Sequence, residues 1–244
     1  ILVVDDNPDM TDFLKRTFEG YFKRIIIAGD GGEALQLVRS HVPDIIVSDV
    51  MMPRMNGYKL CKTIKEDINI SHIPVILLTA RDDRQSQISG YKNGADGYLS
   101  KPFEVEMLME LIRNRLKNRE YTKKRYLNAG LIPTPEESTI SLTDETFLIK
   151  LNSIIQENIE NSNLGIQFIC QEVGLGRSSL YNKLKALTSM GANEYISKLR
   201  IEKAITLISG TDMPFSEIAE KTGFTTPSYF STAFKQYTGE TPSQ

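Results

Sequence analysis

The chain has 244 residues, 40% of them hydrophobic and 25% charged, with a formal net charge of −2. That is enough for two globular domains with separate cores. It carries no apolar stretch long enough to span a bilayer and no visible signal peptide, and its two cysteines, Cys61 and Cys170, stand far apart without metal-ligand spacing, as expected of free thiols in a reducing cytoplasm.

Five short apolar runs come first: Ile1–Val4, Arg24–Ala28, Asp44–Ser48, Pro74–Thr79 and Gly97–Ser100. Continuous β-branched runs of this length predict strands buried on both faces, and the helical-period stretches between them predict βαβ crossovers. The expected fold is α/β, a flavodoxin-like, doubly wound, parallel five-stranded sheet.

Such sheets bind their ligands beyond the carboxyl ends of the strands. Asp5, Asp6, Asp49, Thr79, Tyr98 and Lys101 all stand at those ends. The prediction is one crevice where three carboxylates, a hydroxyl and an ammonium meet. Clustered carboxylates repel unless a cation joins them, and magnesium takes one or two carboxylates beside phosphate oxygens. With the charge screened, Asp49 can attack an incoming phosphoryl group while Thr79 and Lys101 meet its oxygens.

In this combination residues 1–118 resemble the receiver domain of two-component response regulators. The resemblance implies that Asp49 is the phosphoacceptor. Asp6, Asp49 and the Met51 carbonyl would be direct magnesium ligands, with Asp5 acting mainly through water. It also implies that Thr79 is the switch hydroxyl, that Lys101 pairs with the phosphate, that Lys101-Pro102 is a cis peptide, and that Tyr98 reports movement of Thr79. Phosphorylation would then bias the face formed by the helix near 82–93, the last strand and the helix from Glu104. His41, in a helix-to-strand loop, and His72, at a strand entrance, are expected to be structural or solvent-facing.

Val105, Leu108, Leu111, Ile112 and Leu116 predict an amphipathic helix closing the first domain. The basic stretch Arg113–Arg125 then reads as a solvated helical extension, with a dimer-contacting or DNA-proximal linker as the alternative. Residues 131–139, with Pro133 and Pro135 and no periodicity, read as a connector. The expected boundaries are therefore 1–118, 119–141 and 142–244.

Thr143 is placed to cap a helix, with Asp144 and Glu145 in its first turn, and everything after it reads as helical. Two similar units occur there. One runs from Ile166 to Gly174 and, after a turn, from Arg177 to Leu187. The other runs from Phe215 to Gly223 and then from Pro227 to Tyr237. A short helix ending at glycine, a turn, and a longer helix with one polar face is the helix-turn-helix layout. A long helix from Gly191 to Ile208 would hold the two readers so that they address major-groove segments about ten base pairs apart.

This all-α domain resembles the DNA-binding domain of the AraC/XylS transcription factors, carried by Ser179–Lys185, Ile201–Ala204, Ile218–Phe224 and Tyr229–Lys235. Leu180, Leu184, Ile218, Ala219, Phe224, Phe230 and Phe234 sit at core spacing. By the family's geometry Ser178, Tyr181, Asn182, Ser228, Ser231 and Thr232 face base edges. Arg177, Lys183, Lys185, Thr226 and Lys235 face phosphates, and Lys198 and Arg200 are weaker candidates. Three departures stand out: Gly176 lacks a capping oxygen, Ser189-Met190 replaces a helix-ending glycine, and Thr232 replaces an arginine common in the family. Nine Lys and Arg against eleven Asp and Glu from residue 142 onward predict few phosphate contacts and a shallow salt dependence.

The combined expectation is a transcription regulator whose Asp49 receives a phosphoryl group from a histidine kinase with magnesium. Phosphorylation then changes its self-association, as a homodimer, and its binding to promoter DNA, with RNA polymerase as a further partner. The chain opens inside a strand without an initiator methionine. Receiver followed by AraC-type output resembles the end of hybrid two-component sensors of gut anaerobes that control polysaccharide use, tethered to the cytoplasmic face through missing parts. The alternatives are a stand-alone cytoplasmic regulator, a magnesium-dependent aspartyl phosphatase, or an adaptor whose helices bind protein.

Overall fold

The computed structural model describes residues 1–80, 94–129 and 142–242, with the side chains of all but 119–129 and 142. The expected switch face at 82–93 and the connector at 131–139 lie outside the described residues. The chain divides into two compact units, one containing Ile1–Thr122 and the other Glu145–Gln244.

In the first unit β1 (Leu2–Val4), α1 (Pro8–Phe18), β2 (Ile26–Ala28), α2 (Gly31–His41), β3 (Ile46–Asp49), α3 (Gly57–Glu66), β4 (Val75–Ala80), β5 (Gly97–Lys101) and α4 (Val105–Ala129) follow one another. The five strands pair in parallel in the order β2-β1-β3-β4-β5. Because strand side chains alternate between faces, each strand feeds two cores. Leu2, Val4, Ile46 and Leu77 pack with Ala34, Val38, Leu60 and Ile64 of α2 and α3. Val3, Val47, Ile76 and Leu78 pack with Leu14 and Phe18 of α1 and with Leu108 and Ile112 of α4. The order of strand addition reverses between β1 and β3, so the crevice opens where Asp5 and Asp49 leave the sheet.

One detail differs from expectation: His41 closes α2 instead of lying in the loop. Helix α4 runs unbroken through the basic stretch past residue 118, in keeping with the helical extension expected there. Good helix formers such as Arg, Lys, Glu and Leu carry it on where no glycine or proline intervenes.

The second unit is helical: α5 (Leu142–Glu157), which takes Thr143 into its first turn, α6 (Ile166–Val173), α7 (Arg177–Thr188), α8 (Ala192–Gly210), α9 (Phe215–Lys221) and α10 (Pro227–Thr238). The turns of the two units match, since Gly174 and Gly223 each adopt a φ of +72° after the short helix. That left-handed conformation suits glycine. Ile201, Ala204, Ile218, Ala219, Phe224, Phe230 and Phe234 form the core joining α8, α9 and α10.

Helix α7 ends on Ser189 at a φ of 64°, a conformation unfavourable for a residue with a Cβ. Ser189→Gly is expected to stabilise the protein by about 0.5–1 kcal/mol, read as a higher urea midpoint at unchanged slope. A lower midpoint would mean that the serine side chain contributes more than its backbone costs.

Candidate functional site

The crevice is built at the carboxyl ends of β1, β3, β4 and β5. After β1, the Asp5 N–H still bonds the Ala28 carbonyl at 3.2 Å, which keeps Asp5 in the sheet edge. Asn7 then caps α1 by accepting from the Asp9 N–H, while the Asn7 N–H donates to Asp5 Oδ1 at 2.9 Å. After β3, the Met51 N–H donates to Asp49 Oδ2 at 2.7 Å. One oxygen of each aspartate is thus held by backbone, and the other faces Lys101.

Lys101 Nζ lies 2.5 Å from Asp49 Oδ1 and 2.8 Å from Asp5 Oδ2. Both carboxylates are buried. Burial raises the Asp49 carboxyl above its ordinary value, against the pull of the lysine. Burial also works against the Lys101 ammonium, but its bonds to Asp49 and Asp5 outweigh that and hold its pKa high. The Lys101-Pro102 peptide is cis.

The Thr79 hydroxyl, on a residue 1% exposed, has no hydrogen-bond partner among the described residues. An unpaired buried hydroxyl costs about 1–3 kcal/mol, so its retention calls for an explanation. Tyr98 is half-buried on β5, where its backbone pairs with Leu77, two residues before Thr79 on the neighbouring strand.

The expected trio of carboxylates needs correction. Asp6 is exposed, and among the described residues no three His, Cys, Asp or Glu side chains are grouped closely enough to hold a metal ion. Asp5 and Asp49 meet on Lys101 instead. Two buried carboxylates need a counter-charge, and the lysine supplies it. The carboxylate oxygens of Asp5 and Asp49 are donors of the hard kind that a divalent ion takes, with Asp6 and the Met51 carbonyl next to them in the chain.

Sequence reasoning missed one residue of this crevice. A Cβ on Gly57 would come within 2.3 Å of the Asp49 carbonyl oxygen, and the Gly57 N–H bonds the Val50 carbonyl at 3.0 Å. Glycine here lets α3 start directly against the backbone of Asp49. Its place just after the helix-capping Asn56 was the available signal.

In the second unit, Arg177, Ser178, Tyr181 and Lys185 of α7 are exposed and Asn182 is half-buried. On α10, Ser228, Ser231, Thr232 and Lys235 are exposed, and Thr226 caps the helix by accepting from the Tyr229 N–H at 3.2 Å. Arg177 donates to Gln167 at 3.3 Å, and Thr232 donates to the Ser228 carbonyl at 3.0 Å. Exposed Tyr229, which sequence reasoning passed over, stands among these residues with its ring edge-on to Phe224.

One expected phosphate contact, Lys183, and the two weaker candidates, Lys198 and Arg200, are buried. Lys183 is 0% exposed, its ammonium 5.0 Å from the centre of the Phe147 ring. Lys198 and Arg200 are 3% and 7% exposed. Each stands on a helix face that packs inward, and a basic residue type alone does not reveal its face. Lys198 pairs with Glu202 at 3.6 Å and Arg200 bonds the Asn161 carbonyl at 2.6 Å.

A family model of the response regulator receiver domain matches residues 1–113, and one of a helix-turn-helix domain matches residues 169–244. Over its full 244 residues the chain is 41% identical to Histidine kinase P4 of Formosa agariphila, of which it spans 18%. It is 36% identical over 130 residues to DNA-binding response regulator MtrA of Mycolicibacterium smegmatis, covering 53% of this chain and 56% of that one. The Francisella response regulator 1452 receiver domain is 39% identical over 48% of this chain and 95% of that one, with a TM-score of 0.44. No helix among the described residues is long and apolar enough to cross a membrane.

Proposed function

The chain joins a response regulator receiver domain at residues 1–113 to a helix-turn-helix domain at residues 169–244, and from that premise we propose a phosphorylation-controlled transcription regulator. Its input is Asp49 and its output is the binding of promoter DNA. The observation that carries the input is the pairing of Lys101 with Asp49 beside the unpartnered Thr79 hydroxyl.

The Met51 N–H and Lys101 orient the Asp49 carboxylate, so that one of its oxygens bonds to phosphorus as the P–N bond of a kinase phosphohistidine breaks. The electron pair leaves with the imidazole. Asp5, Asp6, Asp49 and the Met51 carbonyl are the groups that would hold magnesium, which would supply positive charge to offset the gathered oxygens. Lys101 stays with the new phosphoryl group, and the Thr79 hydroxyl gains in a phosphoryl oxygen the acceptor it lacks. Movement of Thr79 and Tyr98 then carries the change outward to a self-associating face.

The output rests on the exposed faces of α7 and α10. Tyr181, Asn182, Ser178, Ser228, Ser231 and Thr232 read base edges, while Arg177, Lys185, Thr226 and Lys235 meet phosphates. The chain's identity to a histidine kinase over its whole length supports a place at the output end of a hybrid sensor. In that setting the segment is cytoplasmic, its donor is a kinase domain of the same protein, and the genes it controls serve polysaccharide use. In-frame coding sequence for a kinase ahead of Ile1 supports that setting, and its absence points to a stand-alone regulator.

The test is selection of bound fragments from random duplex DNA, with protein treated and untreated with acetyl phosphate and magnesium. Enrichment of one bipartite sequence, stronger after treatment, is the expected result. No enrichment in either arm would remove the DNA-reading function and leave the adaptor.

Lys183 and Lys185 give a sharper contrast on the selected duplex. Lys185→Ala is expected to reduce the slope of log affinity against log salt by about one, because one phosphate contact is lost. Lys183→Met, which removes a buried charge, leaves the slope unchanged. Equal slope changes in the two variants would restore Lys183 as a phosphate contact.

A further inference from the structure

Arg200 meets three separate parts of the second unit at one guanidinium. It stands on α8, the helix between the two helix-turn-helix units, and its Nη2 donates to the Asn161 carbonyl at 2.6 Å. The same carbonyl accepts the Leu164 N–H at 3.0 Å, so it anchors the turn that enters α6 and the first helix-turn-helix. On its other side the guanidinium carbon lies 5.9 Å from the centre of the Phe224 ring, in the turn of the second helix-turn-helix. Phe224 in turn packs on Phe230 of α10 at 5.3 Å.

The turn is fitted closely to this side chain. A Cβ on Gly223 would come within 2.8 Å of Arg200 Nη2 and within 2.2 Å of the Ile159 carbonyl oxygen. The entry to the first reader, the connecting helix and the turn of the second reader therefore converge on one charged group. Arginine suits the position because its planar fork bonds a carbonyl with its edge and faces an aromatic ring at once. A connecting helix alone fixes a length, but packed units rock about such an element unless something crosses it. Arg200 is that crossing contact.

We propose that Arg200 is a positioning residue that holds the two reading helices at one separation, and so sets the base-pair spacing between the two DNA segments the domain reads. The inference rests on the DNA-reading function proposed above. Each reader binds weakly by itself, and a rigid pair gains affinity only where the spacing of the DNA matches its own. A loosened pair loses peak affinity but tolerates other spacings.

The experiment uses the full chain and the duplex that it selects, with versions carrying one or two base pairs inserted between the contacted segments. Wild-type protein is expected to lose about tenfold or more in affinity on insertion. Arg200→Met is expected to bind the original duplex about tenfold more weakly and to lose less than about threefold further on insertion. Arg200→Lys, which keeps the charge near Phe224 but lacks the fork, falls between them and serves where the methionine variant does not fold. If a folded variant weakens binding by the same factor at every spacing, or not at all, Arg200 is only a structural residue. If the wild type selects no duplex, the DNA reading itself fails and takes this inference with it.

Discussion

Asp49→Asn is expected to abolish the hydroxylamine-labile adduct formed with acetyl phosphate and magnesium, and at the same time to make the protein more stable at neutral pH. The first effect follows from chemistry, since an amide cannot serve as the attacking carboxylate. Residual labelling within background, against one phosphoryl group per wild-type chain by mass, is the expected result. Full labelling of the variant would move the acceptor elsewhere.

The second effect follows from the sign of the Asp49 shift. Burial raises its pKa in the folded protein, although Lys101 pulls the other way. A carboxyl with a raised folded pKa contributes stability that is whole below its unfolded value and is lost as pH rises through the folded one. At neutral pH the ionised Asp49 is therefore a net cost that asparagine removes, while Lys101 keeps Asp5 as its partner. The urea midpoint of the variant should exceed that of the wild type at pH 7, and the gap should close toward about pH 4, the unfolded carboxyl range. A lower midpoint at pH 7 would mean that the Lys101 bond outweighs the burial of Asp49. Such a cost is expected where a site is kept for chemistry rather than for stability.

Phe230→Ala should have the largest effect on folding, about 3–5 kcal/mol, because it empties a fully buried ring site. Phe230 is 0% exposed, with ring centres of Phe224 and Phe234 at 5.3 and 5.6 Å. These three rings pack the second reading helix against α9 and α8, and close-packed neighbours relax only in part into the cavity that alanine leaves. The second unit is expected to melt earlier while the receiver, whose cores contain none of these residues, keeps its own midpoint and its adduct with acetyl phosphate. Tyr229→Ala, next in sequence but exposed, should shift the midpoint by less than about 1 kcal/mol. Equal losses in the two variants would mean that the ring cluster carries no special share of the stability.

Several parts of this molecule were legible in the residue order because they depend on local pattern. The apolar runs gave five strands, since a strand buried on both faces has to be continuously apolar. The glycines at 174 and 223 gave the two turns, since only glycine adopts a positive φ without strain. The aspartates, threonine and lysine at strand ends followed from the rule that parallel strands bring their carboxyl ends together. The core rings of α10 followed from spacing along a helix.

What the sequence by itself determined, then, was the order of elements, the parallel sheet, the two helix-turn-helix units and the placing of Asp5, Asp49, Thr79 and Lys101 at strand ends. Each is written in periodicity, and periodicity is local. Tertiary structure alone decided which partners meet. It set Lys101 between Asp5 and Asp49, left Asp6 in solvent, pressed Gly57 against the backbone of Asp49, and turned Lys183 and Arg200 inward against Phe147 and Phe224. The physical reason is that a charged side chain on a helix follows the face on which its Cα stands, and that face is chosen by how whole helices pack. A buried cation is tolerated only where a ring, a carbonyl or a carboxylate from a distant part of the chain receives it.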